Sequence, residues 1–139
     1  MSNTLYTASA PGKIILMGEH AVVYGRPAMA APVHQVQATA TLRVEDGAGD
    51  LWIDAADVNQ RFALSAAPTA DPLAQAVHLA LALLQRSAPG GELRVRSTIP
   101  LAGGMGSGAA VSTAIVRAVA AWAGRTLPPA TLSSLVYEV

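Results

Sequence analysis

At 139 residues, 52% of them apolar and 13% charged, the chain is sized for one domain with a real core and is too apolar for disorder. Nine acidic residues balance nine basic ones, so there is no electrostatic footprint for nucleic acid or for an anionic membrane surface. Cysteine is absent, which excludes a disulfide framework and thiolate metal sites and fits an intracellular protein.

Met1 to Tyr6 lacks the basic stretch and apolar core of a secretory signal, and no apolar run reaches membrane-spanning length, so a cytoplasmic location is expected. Leu5 to Ser9 and Ile14 to Met17 read as short strands, the second buried, and the Pro11-Gly12 pair between them suits a hairpin turn. Val36, Ala38, Ala40, Leu42 and Val44 alternate with polar residues, which predicts a strand with one face on a core, and His34 falls in a loop before it. Asp46 to Asp50 is a turn, followed by short strands at Leu51 to Ile53 and Arg61 to Leu64.

Asp71-Pro72 is a helix start, because the carboxylate caps free N–H groups and proline at the first helical position loses no hydrogen bond. Leu73, Val77, Leu81 and Leu84 then form an apolar stripe that should end near Arg86-Ser87, with His78 on the surface. Leu93, Val95, Ser97 and Ile99 alternate as a strand that runs into Pro100-Leu101-Ala102-Gly103-Gly104-Met105-Gly106-Ser107-Gly108-Ala109-Ala110. Beyond it, Val111, Ile115, Val119 and Trp122 recur at helical spacing up to a stop at Gly124. Pro128-Pro129 opens a last helix with Leu132, Leu135, Val136 and Val139 on one face, a pattern without a stop signal that suggests a truncated chain. Trp52 and Trp122 are expected in the core.

The glycine-rich stretch between strand and helix reads as an anion cradle: glycines let the backbone approach an anion, and the helix behind it offers unpaired N–H groups and a positive dipole end. Such turns also serve as plain connectors. A second segment, Ala10-Pro11-Gly12-Lys13-Ile14-Ile15-Leu16-Met17-Gly18-Glu19-His20-Ala21-Val22-Val23-Tyr24-Gly25, holds the one lysine of the chain, in a composition whose other basic residues are all arginine. A water-exposed lysine at a strand end is the plainer reading of it.

In order and spacing, these two segments resemble the first and second motifs of the GHMP small-molecule kinases. The string Gly18-Glu19-His20-Ala21-Val22-Val23-Tyr24-Gly25 is most similar to the mevalonate kinase branch. Galactokinase-like relatives usually follow the Gly-Glu-His with Thr-Asp, and phosphomevalonate kinases commonly carry Tyr where His20 stands. The resemblance implies an α+β fold like ribosomal protein S5 domain 2, a mixed sheet with helices on one face. It makes residues 1–139 the N-terminal, ATP-binding domain of a longer enzyme whose third motif and ferredoxin-like second domain would follow.

The same resemblance implies transfer of a phosphoryl group from ATP, with Mg²⁺, to the hydroxyl of a small molecule, most simply mevalonate to 5-phosphomevalonate. Lys13 would be catalytic, steadying charge near the transferred group. Glu19 and His20 would bind substrate, their plainer readings being a turn carboxylate and a satisfied imidazole. Gly103, Gly104, Met105, Gly106, Ser107, Gly108 and Ala109 would wrap the nucleotide phosphates, without the Gly-Lys-Ser/Thr of a Walker loop.

Ser107 is the candidate Mg²⁺ ligand. The usual motif has a second serine where this chain has Gly108, so a side-chain oxygen is missing there. The acidic metal ligand and the aspartate base of the family would lie beyond Val139; Glu138 stands near the expected place of the former and is not assigned to it. A homoserine, sugar or phosphomevalonate kinase, or a mevalonate-related kinase or decarboxylase of altered specificity, are the neighbouring readings. A non-catalytic nucleic-acid-binding or regulatory domain of the same fold would need a basic, aromatic face, which one phenylalanine and a zero net charge do not supply. A homodimer is a further expectation, since a lone half of such an enzyme exposes apolar surface.

Overall fold

The computed structural model describes residues 3–47, 49–101 and 103–139; Met1, Ser2, Ala48 and Ala102, in the amino terminus, the 46–50 turn and the glycine loop, lie outside them. Five strands, β1 (Thr4–Met17), β2 (Met29–Val44), β3 (Leu51–Ala55), β4 (Gln60–Ala63) and β5 (Gly91–Ser97), form one sheet in the order β1-β2-β5-β3-β4. The β3–β5 pair is parallel and the others are antiparallel, so the sheet is mixed. Helices α1 (Pro72–Leu84), α2 (Ser107–Trp122) and α3 (Pro129–Tyr137) complete the expected α+β architecture, with α2 lying across β1 and β2 and packing on α1.

Alternation in the strands decides what faces the helices. Ala38, Ala40, Leu42, Leu51, Ile53, Leu93 and Val95 are buried, while the residues between them form the outer face, where Asp54, Arg61, Glu92, Arg94 and Arg96 pair with one another. Many of the buried positions of α2 are alanine: Ala110, Ala114, Ala118 and Ala120 join Ile115, Val116 and Val119 beneath the sheet alanines. Small side chains on both surfaces let helix and sheet sit close, so the alanine bias of the sequence is a packing feature.

Asp71 caps α1 as its position in the sequence predicts, its carboxylate accepting from the Ala74 N–H at 3.0 Å with Pro72 in the first turn. Asp71→Ala should lower unfolding free energy by about 1 kcal/mol, read as a drop in the urea midpoint at constant slope. The helix ends at Leu84, before the expected Arg86-Ser87, because Gln85 turns left-handed (φ 55°) to send the chain back towards β5. Elsewhere Asp50 ties the start of β3 to the segment after β4: it accepts from the Ser65 hydroxyl, which holds its carboxyl below the usual carboxylate range.

Four expectations need correction. There is no hairpin at Pro11-Gly12: β1 runs unbroken through it, and both halves pair with β2. As an edge strand, β1 tolerates the missing N–H of Pro11. Between Pro11↔Gln37 and Gly12↔Val33 the register shifts by three residues of β2, a bulge that carries exposed His34 within the strand, where a loop was expected. Gly12 makes room for this bulge, since a Cβ there would lie 3.0 Å from Cγ2 of Val36.

Ile14 to Met17 is a strand, yet an exposed one. The β5 strand pairs β2 only at Ala38–Val44, so beyond it β1 and β2 continue as a two-stranded ribbon whose Ile14 to Met17 end is exposed. Trp52 is likewise not in the core. Leu51 and Ile53 take the inward positions, and the indole lies on the outer face beneath the Arg61 guanidinium, 4.7 Å from the ring centre. Trp122 packs at the core margin, under Arg86 at 4.6 Å.

Candidate functional site

The two motif-like segments meet in space. Lys13 lies in β1, and its backbone N–H donates to the Met105 carbonyl at 2.9 Å, which fastens the glycine loop to the sheet. Gly106 follows in the left-handed conformation (φ 69°, ψ 36°) and opens α2. The half-buried Lys13 side chain lies along it: a Cβ on Gly106 would be 3.1 Å from both Cγ and Cε of the lysine. The plain connector and the strand-end lysine are thereby parts of one local structure.

Gly106 supplies no side-chain cap, and the first bond into the helix runs from the Ala110 N–H to the Gly106 carbonyl. Among the described residues, the N–H groups of Ser107, Gly108 and Ala109 therefore have no acceptor. They point from the positive end of a helix of 16 residues, beside an ammonium with no ion-pair partner among the described residues. Gly103 and Gly104 form the exposed approach to this turn, and Gly104 has φ +69° with open space where a Cβ would stand. The half-buried Ser107 hydroxyl has no hydrogen bond among the described residues, and Gly108 is exposed.

Alongside lies a cleft of about 730 Å³ that the sequence did not reveal. Ser107, Gly108 and Ala109 form one wall, and Leu73, Val95 and Val111 are among the apolar residues of the others. Two carboxylates at its border are already engaged: Asp57 accepts from the Ser97 N–H at 2.7 Å, and Asp71 caps α1. The rest of the lining comes from the start of α1, the end of β5, the β3–β4 corner, and Val136 and Val139 at the end of the chain, which carry no motif. Only their convergence on the loop marks them.

Glu19 and His20 follow Lys13 in the chain, past the end of β1. Both are exposed in the turn after β1, shaped by Gly18 (φ 86°) and closed by Gly25 (φ 72°). Among the described residues, no hydrogen bond or ion pair links either side chain to Lys13 or to the loop. Glu138 is exposed after α3. No group of three or more His, Asp or Glu among the described residues could hold a metal, and no helix among them is long and apolar enough to cross a membrane.

Residues 73–139, from α1 through the glycine loop to α3, match the family described as GHMP kinases N terminal domain. In sequence the chain is 37% identical over 117 residues to the mevalonate kinase of Archaeoglobus fulgidus, covering 81% of this chain and 36% of that protein. The chain thus spans less than half the length of such relatives. In fold it is similar to the mevalonate kinase of Methanococcus jannaschii, with a TM-score of 0.77 at 24% identity, over 99% of this chain and 45% of that one. It is also similar to Lactococcus lactis galactokinase, with a TM-score of 0.76 at 17% identity, over 95% of this chain and 36% of that one. Paralleled along nearly its whole length by mevalonate kinases in sequence and in fold, and matched in its second half as a kinase N-terminal domain, the chain belongs to the GHMP kinase family.

Proposed function

We propose that residues 1–139 form the ATP-binding, N-terminal domain of a kinase that phosphorylates a small-molecule hydroxyl, with mevalonate as substrate and 5-phosphomevalonate as product. One observation carries this reading: the Lys13 side chain lies against Gly106, where a helix amino terminus presents three N–H groups that have no acceptor among the described residues. The curated relatives support mevalonate over other alcohols, being mevalonate kinases at 30 to 37% identity.

The residues fit a nucleoside triphosphate. An anion finds N–H donors at Ser107, Gly108 and Ala109 and an ammonium beside them, while the apolar cleft next to them suits a flat base. Gly103, Gly104, Met105 and Gly106 shape the turn around the phosphates. For Mg²⁺ the chain offers the Ser107 hydroxyl alone at this turn, which fits an ion carried mainly by phosphate oxygens and water. ATP, when bound, supplies the γ-phosphoryl group.

The chain's own part is electrostatic and positional. Lys13 holds positive charge where negative charge develops, and the helix amino terminus holds the phosphate chain in place. Glu19 and His20 bind substrate from the turn after β1, in a cytoplasmic enzyme. The base and the acidic metal ligand are expected beyond Val139, in the part of the relatives that this chain does not span.

The test is a coupled ADP-release assay with MgATP and mevalonate, run on this chain and on a version extended through the C-terminal half. Turnover is expected only in the extended form. ATP binding without turnover of mevalonate would overturn the substrate and direct the assay to homoserine, sugars and phosphomevalonate. Failure of both forms to bind ATP would overturn the kinase reading.

The exposed end of the ribbon has its own consequence. Leu16, Met17, Val23, Tyr24 and Met29 are 54 to 83% exposed in one stretch of chain, an apolar surface that water does not favour. The 139-residue chain should self-associate, giving a sedimentation mass that rises with concentration, and Met17→Lys with Val23→Lys should restore the monomer. A monodisperse monomer of the unaltered chain would refute this.

A further inference from the structure

The arginines divide into two sets. On the outer face of the sheet and at its end, Arg43, Arg61, Arg94 and Arg96 each have a carboxylate partner, and Arg86 stacks on Trp122. Arg26, Arg117 and Arg125 have no carboxylate partner among the described residues. Two of these three line one cavity of about 810 Å³, separate from the nucleotide cleft, between β1, the last turns of α2 and the loop into α3.

Among the described residues no carboxylate lines this cavity, and Arg117 and Arg125 are its only charged groups. The first is held by its side chain, the second by its backbone. The Arg117 guanidinium is pinned by the Ser9 carbonyl at 3.0 Å. Arg125 follows Gly124, whose left-handed turn (φ 72°) ends α2, and the Arg125 N–H is held by the Ala120 carbonyl at 2.9 Å. Thr126 stands at its rim, and Ala120, Leu127 and Leu132 make an apolar wall. Two guanidiniums without counter-charge suit a phosphate-like group, and the space and apolar wall exceed what a bare anion needs.

We infer that the cavity between β1 and the α2–α3 loop is a second ligand site, distinct from the nucleotide cleft, for a small phosphomonoester with a short aliphatic group. Arg117 and Arg125 clamp the phosphate, and Leu127 and Leu132 take the aliphatic part. This assignment does not depend on the kinase reading.

The probe is n-butyl phosphate, titrated into the ¹⁵N-labelled 139-residue chain and followed by amide chemical shifts. Shifts should centre on Arg117 and Gly124 to Leu127, and the Arg117→Gln, Arg125→Gln double variant should bind at least about ten-fold more weakly while keeping its dispersed spectrum. If that variant fails to fold, Arg125→Gln alone, at an exposed position, should still weaken binding several-fold. Shifts confined to Ser107 to Ala109, no shifts at all, or unaltered affinity in a folded variant would overturn the site. Equal affinity for inorganic phosphate would overturn the aliphatic part of the assignment, and equal affinity for n-butanol the anionic part.

Discussion

Lys13→Met in the extended enzyme should lower the turnover number by about 100-fold or more while MgATP affinity changes by less than about three-fold. The substitution is chosen for its shape. Methionine keeps an unbranched apolar stem, so the packing of Lys13 against Gly106 survives, and the backbone bond to the Met105 carbonyl does not involve the side chain. What goes is the ammonium. On the proposed reading the N–H groups of Ser107, Gly108 and Ala109 continue to hold the phosphates in the ground state. The loss therefore falls on the transition state, where charge builds on the transferred group and the attacking oxygen. Steady-state kinetics with mevalonate and MgATP check this, and an unchanged turnover number would remove Lys13 from the chemistry.

Gly106→Val should weaken MgATP binding by at least about ten-fold, measured by titration calorimetry. Two costs combine. A β-branched residue at φ 69° is strained by about 1 to 2 kcal/mol. Its Cβ would also meet the Lys13 stem at 3.1 Å, which moves either the lysine or the start of α2. Gly124→Val separates the two effects, since Gly124 has φ +72° and nothing within 4 Å of the place a Cβ would take. That variant should lose comparable stability in a urea titration and retain MgATP affinity. Undiminished affinity in Gly106→Val would make the loop a connector.

Much of the architecture was legible because it rests on local patterns. The alternation of Ala38, Ala40 and Leu42, the Asp71-Pro72 cap and the helical spacing of Ile115 and Val119 each report their own periodicity and end signals. The errors share a cause. The hairpin expected at Pro11-Gly12, the burial expected for Ile14 to Met17 and the core position expected for Trp52 all depend on what lies across from a strand. Local sequence does not report that. A Pro-Gly pair is a turn or a tolerated kink in an edge strand according to whether a long neighbour such as β2 is there to pair with both halves.

The site divides in the same way. By itself the sequence determined the two chemical parts, a lone lysine in a motif-like segment and a glycine turn at the mouth of a helix, because residue type and spacing alone define them. Tertiary structure decided that they touch, through the Lys13 N–H on the Met105 carbonyl and the lysine stem on Gly106. It also decided that an apolar cleft opens beside them, and that Glu19 and His20 are exposed. These are long-range facts: β1 and the loop are some ninety residues apart in the chain, and only the packing of α2 across β1 and β2 brings one to the other.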